Sequence, residues 1–123
     1  MGGKCYQDLE VWQVAMDLAE ECYRATSEFP KEERYGLMSQ MRRAVVSIAA
    51  NIAEGQGRRY QRDFASFLSI ANGSLAELET HVELSRRLHF IDANREASLL
   101  EKAARVGMML NALIRSIEKA GRP

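Results

Sequence analysis

Five arginines, Arg42, Arg43, Arg58, Arg59 and Arg62, with Tyr60 set among the last three, are the side chains of this sequence whose type and grouping best suit chemistry. That chemistry is recognition of anions, with no bond made or broken. A guanidinium is a planar, permanently charged fork that matches phosphate or carboxylate better than a point charge does, and a tyrosine ring beside it can stack on a base. The rest of the chain is polarised against them. Asp8, Glu10, Asp17, Glu20, Glu21, Glu28, Glu32 and Glu33 crowd the first quarter, and the stretch that follows carries Arg34 and the five arginines with only Glu54 and Asp63. Two uses compete. The arginines can bind a nucleic-acid backbone, or they can pair with the acidic first segment of the same or a neighbouring subunit and fix register there. For an isolated chain the ion-pair use comes first. A ring of subunits, which displays several copies of the patch and gains avidity, reverses that order.

Sets that would do catalysis or hold a metal fail on spacing. A helical bundle binds a dinuclear metal through Glu-x-x-His on facing helices. Here His81 follows Glu77 by four positions and stands alone within a periodic segment, which reads as an exposed i,i+4 pair. No Gly-x-Ser-x-Gly turn and no Cys–His couple supplies a nucleophile. Gly55 and Gly57 lack the Lys-Ser or Lys-Thr of a phosphate loop and follow a helical pattern instead of a strand. Cys5 and Cys22 are far apart, one a terminal thiol and one a small core residue. The expectation is a protein that is no enzyme and takes no metal or cofactor.

The elements that must position the arginines are helices. Lys+Arg 17 balance Asp+Glu 17, the chain is 46% hydrophobic, and Pro 2 and Gly 8 are too few for the turns of a β-sandwich. Between Gln7 and Thr26, Leu9, Trp12, Met16, Ala19 and Tyr23 recur at steps of three and four and predict a first helix, its stripe widened by Val11, Val14, Leu18 and Cys22. Pro30 forces a corner. Leu37, Met41, Val45, Ile48 and Ile52 predict a second helix from about Gly36 to Glu54, with Gly55 as the residue that ends it. Its opposite face, Val46, Ala49, Ala50 and Ala53, is also small or apolar, and a helix apolar nearly all round wants burial on both sides. In so short a chain that points to another subunit across this face, a tightly wrapped monomer core being the alternative. A third helix, about Arg62 to Leu88, carries Phe64, Phe67 or Leu68, Ala71, Leu75, Leu78, Val82 and Leu88, with Ala71, Gly73 and Ser74 permitting a close crossing. Asp92 is placed to cap a fourth, about Ala93 to Lys119, built on Leu99, Ala103, Val106, Leu110, Leu113 and Ile117 and closed by Gly121 and Pro123.

Four amphipathic segments on short links describe an all-α, antiparallel up-down-up-down four-helix bundle occupying residues 1–123 as one domain, with a flexible tip over about residues 1–6. The start has no apolar run before Asp8 and Glu10, and the longest apolar run, Ala44 to Ala53, is far short of a membrane span. A cytoplasmic location without membrane association is expected.

Several strings carry a family resemblance: Asp8-Leu9-Glu10-Val11-Trp12-Gln13-Val14-Ala15, Phe29-Pro30, Glu33-Arg34-Tyr35-Gly36-Leu37, the run from Arg42 to Gly55 with Ser47, Asn51-Ile52-Ala53-Glu54-Gly55, and the run from Phe67 to Glu79 with Ile70-Ala71-Asn72-Gly73-Ser74-Leu75. Together they resemble the bacterial four-helix-bundle proteins encoded in intervening sequences of large-subunit ribosomal RNA genes, over nearly the whole chain up to Asp92. The resemblance implies a cyclic homopentamer, similar in fold to the accessory proteins that bind reverse transcriptase and RNA in diversity-generating retroelements. It thereby suggests RNA binding. Ala49 stands where many relatives have Pro, which implies a milder kink in the second helix. Of the patch, only Arg42 and Arg43 fall within a recognised string, and Asn51, Glu54 and Gly55 are read as setting a helix end and its packing. The functional expectation is a non-enzymatic homo-oligomeric scaffold that binds structured RNA through Arg42, Arg43, Arg58, Arg59, Arg62 and Tyr60, and that assembles through Val46, Ala49, Ala50 and Ala53. The alternative is a protein-interaction module that binds a reverse-transcriptase-like or other protein without touching nucleic acid.

Overall fold

Each periodic segment folds as a helix. The computed structural model describes residues 5–121, in which α1 (Glu10–Thr26), α2 (Leu37–Gln56), α3 (Gln61–Arg87) and α4 (Ala93–Ala120) follow one another, with 3-10 turns at Tyr6–Asp8 and Lys31–Glu33 and no strand among the described residues. The connections at 27–36, 57–60 and 88–92 are short, so successive helices run antiparallel. Pairings across the seams confirm the direction. Glu10 meets Arg105 and Glu21 meets Lys102 and Arg95 between α1 and α4. Ser47 meets Ser74, and Met41 meets Ser85, between α2 and α3. Asn72 meets Asn111, and Arg86 meets Glu96, between α3 and α4. Helices α1 and α3, and likewise α2 and α4, lie across the diagonals of a square.

One core fills the square. Leu18, Met41, Ile48, Ile52, Leu68, Leu78, Leu99 and Leu110 are fully buried, and burying each such side chain contributes about 1.5–3 kcal/mol. The expected stripes of α2, α3 and α4 all reach this core; Phe67, Leu113 and Ile117 sit at its half-buried margin, and Leu88 is exposed. The stripe of α1 keeps only part of the expected set at its centre. Val11, Val14, Ala15, Leu18, Ala19, Cys22 and Ala25 are buried, Leu9 and Trp12 pack half-buried against the core, and Met16 and Tyr23 lie exposed along α2. Both sets have helical spacing, and close packing against two neighbours selects the smaller side chains for the centre.

Helix ends also correct two expectations. Gly55 does not stop α2. It lies inside the helix with φ on the ordinary negative side, and a Cβ there would stand 2.7 Å from Phe67 Cβ and 2.9 Å from Phe64 Cδ1, so the missing side chain lets α3 start against α2. Gly73, expected to admit a close crossing, has nothing within 4 Å of its would-be Cβ. The crossing is made by buried Ala71 and by the 2.8 Å contact between the Ser47 and Ser74 hydroxyls, which Asn51 Nδ2 joins by donating to Ser47 O and Oγ.

The turn after α3 contains no glycine. His89 takes φ 64, and the N–H groups of Phe90 and His89 return to Ser85 O and Arg86 O at 2.9 and 3.1 Å, satisfying carbonyls that the helix end would leave open. Phe90 then packs on Phe29 with ring centroids 5.3 Å apart. Asp92 caps α4 as expected, its Oδ1 accepting from Arg95 N at 2.8 Å. Of the tip expected over about residues 1–6, residues 1–4 lie outside the described residues, and Tyr6 opens the first 3-10 turn with its ring edge-on to Trp12 at 5.2 Å. Pro123, expected to close α4, also lies outside the described residues. No helix among them is long and apolar enough to cross a membrane.

Candidate functional site

The fold divides the arginines into two clusters. Arg42 and Arg43 sit in the first half of α2, and Arg58, Arg59 and Arg62 surround the link to α3, on the order of 20 Å away along the helix axis. At the link, Arg58 reaches back one turn to Glu54 at 2.7 Å and lies 4.7 Å over the ring of Phe67. Arg59 and Arg62 flank Tyr60, each guanidinium 5.6 Å from the ring centroid, with Tyr60 52% exposed. Neither Arg59 nor Arg62 has a carboxylate ion pair among the described residues. The 57–60 link and the first turn of α3 therefore present two unneutralised cations and an aromatic face to solvent.

Arg42 has a different task. Its Nε donates to Thr26 Oγ1 at 2.8 Å, a second nitrogen donates to Tyr23 O at 3.2 Å, and the guanidinium lies 4.4 Å over the Tyr23 ring. It closes the end of α1, whose last carbonyls need donors. Arg43, one position on, is exposed and carries no ion pair among the described residues. The carboxylates of α1 that form ion pairs go to Arg24 within α1 and to Arg95, Lys102 and Arg105 of α4, and none goes to the five arginines. Sequence reasoning missed Arg34 and Tyr35 as members of the first cluster, although both stand within a string quoted for the family resemblance. Their signal was a cation and an aromatic ring side by side at a helix start.

The small face of α2 is also divided. Val46 is 46% exposed, Ala50 exposed and Ala53 half-buried, whereas Ala49 is 5% exposed and already packed inside the chain. With Tyr6, Trp12, Met16, Ala19 and Tyr23 of the amino-terminal elements, they line an open apolar groove of about 410 Å³ between α1 and α2, with Glu20 at its edge. The displaced stripe of α1 and the back face of α2 thus form one surface.

Burial and charge act together on two neighbouring groups of α1, Glu21 and Cys22. Burial pushes the Glu21 carboxyl up, but hydrogen bonds from Lys102 (2.9 Å) and Ser98 (3.0 Å), with the charges of Lys102 and Arg95, outweigh it and leave the group below its ordinary value. Burial, reinforced by Glu21, pushes the Cys22 thiol up to about 12. His81 is buried, not exposed, because it shares the inward face of α3 with Leu78, Val82 and Ser85; its Nε2 lies 3.5 Å from Glu77 Oε2 and has no hydrogen-bond partner among the described residues. Among the described residues no group of three or more His, Cys, Asp or Glu is placed to hold a metal ion.

A family model described as 23S rRNA-intervening sequence protein matches residues 7–112. The crystal structure of a protein of unknown function from the S23 ribosomal protein family of Bacteroides thetaiotaomicron shares the fold, with a TM-score of 0.79 at 24% identity over 85% of this chain and 95% of that one. No curated protein sequence matches.

Proposed function

Because the chain belongs to the 23S rRNA-intervening sequence protein family, we propose that it is a non-enzymatic helical scaffold that self-associates and binds structured RNA through its exposed arginines. The observation that carries this reading is the Arg59–Tyr60–Arg62 group, two cations without carboxylate partners among the described residues, both close to an exposed ring. Such a group contacts phosphates and stacks on a base with little reading of sequence. Arg58 holds the link in shape through Glu54 and Phe67. The apolar α1/α2 groove supplies the self-association face, and a ring, five-membered by family resemblance, would present one copy of the basic group per subunit and bind RNA by avidity.

The test is RNA binding by wild type and by the Arg59→Glu/Arg62→Glu double variant across a salt series, on protein purified without nuclease and sized by light scattering with absorbance at two wavelengths. Wild-type affinity should fall steeply with salt, and the log–log slope should flatten by about 0.7–0.9 for each phosphate that the variant no longer neutralises. Unchanged affinity in the double variant refutes the reading. A second reading, a protein-interaction module without nucleic-acid contact, draws support from the same apolar groove; capture of a partner that survives nuclease treatment, by a wild type that binds no RNA, would establish it instead.

A further inference from the structure

The other arginine cluster has an unassigned cavity beside it. Where the corner after α1 meets α2, Tyr23, Arg34, Tyr35, Met38, Ser39, Arg42, Arg43, Val46 and Ser47 line an open groove of about 730 Å³, three guanidinium groups and two phenol rings with no carboxylate in the lining. Tyr35 is 89% exposed, more than any other large apolar side chain described. Its backbone is nevertheless held. Glu33 N donates to Pro30 O, Arg34 N to Lys31 O and Gly36 N to Glu33 O, all at 2.9–3.1 Å. The Glu33 carboxylate folds over the start of α2 to accept from Leu37 N at 2.9 Å, in space that a Cβ on Gly36 would take. Glu33 therefore occupies the helix N-terminus, and the cations of the groove belong to side chains. Arg42 clamps the Tyr23 ring at 4.4 Å and is already engaged with α1, which leaves Arg34, 5.9 Å from the Tyr35 centroid, and Arg43, neither with an ion pair among the described residues.

A solvent-facing ring on a held backbone, in one groove with two guanidinium groups that form no ion pair among the described residues, suits a ligand that is planar and anionic at once. We propose that this groove takes an unpaired nucleotide of bound RNA, the base stacking on Tyr35 and the flanking phosphates meeting Arg34 and Arg43. The inference rests on the RNA-binding reading and deepens it. The link group around Tyr60 and the ring of Tyr35 stand beyond opposite ends of α2, whose 20 residues span about 30 Å; they give one subunit two separated contacts on a single RNA, and only the groove requires the strand to be open.

The experiment measures binding of a fluorescein-labelled oligoadenylate of about twelve nucleotides, and of a duplex RNA of equal length, to wild type, Tyr35→Ala, Tyr35→Phe and Arg43→Gln. Circular dichroism verifies that each exposed-site variant folds. Tyr35→Ala should weaken single-strand binding by about 5- to 150-fold and duplex binding by less than about twofold, Tyr35→Phe should restore it, and Arg43→Gln should flatten the single-strand salt slope by about 0.7. If wild type binds both RNAs and Tyr35→Ala binds the single strand as well as wild type does, the groove is not a nucleotide site and the RNA-binding reading stands. If wild type binds neither RNA, that reading fails and takes this one with it. Inorganic phosphate displacing the oligonucleotide as well as adenosine monophosphate does would reduce the groove to an anion site and overturn the stacking. Displacement by a tyrosine phosphopeptide alone, with the nucleotide inert, would overturn it in favour of a protein ligand.

Discussion

Gly55 and Phe67 touch so closely that a Cβ on the glycine would stand 2.7 Å from that of the phenylalanine, and Arg58 lies over the phenylalanine ring. Gly55→Ala must therefore push α3 away from α2, because rotating the Phe67 side chain leaves its Cβ in place and the Phe64 carbonyl is also within 3.3 Å. Overpacking of this kind costs about 1–3 kcal/mol. Gly73→Ala should act oppositely and stabilise by roughly 0.5–1 kcal/mol, since the position is helical and nothing lies within 4 Å of the added methyl. Urea unfolding of the two variants reads both signs. A Gly55→Ala protein as stable as wild type would show that the seam relaxes freely.

The Glu21 cluster predicts an acid limb of the stability curve. Its carboxyl is held below the ordinary value in the folded chain, so between the two values the unfolded chain binds more protons and stability rises with pH. The contribution is full above the unfolded carboxyl value and is lost as pH falls through the lowered folded one. Glu21→Gln should cost about 1 kcal/mol near neutrality, since the amide keeps a hydrogen bond to half-exposed Lys102 and loses only its charge-assisted part. The gap from wild type should close as the pH drops below the ordinary carboxylate range. A gap constant with pH would mean that shape, not charge, is what the substitution removes.

Thiol reactivity should separate the two cysteines. Cys5 is exposed, and Cys22 is buried with its thiol pushed up to about 12, which leaves almost no thiolate at neutral pH. Ellman's reagent should label Cys5 quickly in the folded protein and Cys22 only after denaturant is added. Rapid labelling of Cys22 in the native state would reveal opening of α1 from the bundle.

The helices were legible because their apolar residues repeat at three and four, and Asp92 because a cap has a residue type. The face that α1 turns inward was not. Val11, Val14, Leu18 and Cys22 compete with Leu9, Trp12, Met16 and Tyr23 at the same period, and only packing against two neighbours decides between them. Gly55 and Gly73 exchanged roles for a similar reason, since close approach depends on which residue faces the glycine from another helix. At the candidate site, Arg59, Tyr60 and Arg62 came together because they adjoin in sequence. The separation of Arg42 and Arg43 from them follows from the length of a helix, and the task of Arg42 follows from the carbonyl of Tyr23 and the hydroxyl of Thr26, which no pattern within α2 announces.

The apolar groove gives the assembly proposal a test that a folding defect cannot imitate. Ala49→Glu is unsuitable, because Ala49 is packed inside the chain and the charge would disrupt the bundle itself. Val46 and Ala50 point into solvent in the single chain, so Val46→Glu and Ala50→Glu should leave the helical content and unfolding midpoint of the dissociated subunit unchanged. Across a subunit interface, either would bury an unpaired carboxylate beside Glu20, at about 3 kcal/mol or more per contact, roughly a hundredfold in the association constant. Met108→Glu, at an exposed position of α4 outside the groove, serves as the control. Light scattering should show wild type and Met108→Glu as one large particle and the two groove variants as smaller ones. Particles of equal size in all four proteins would place the assembly surface elsewhere on the bundle and leave the groove unoccupied by a second copy.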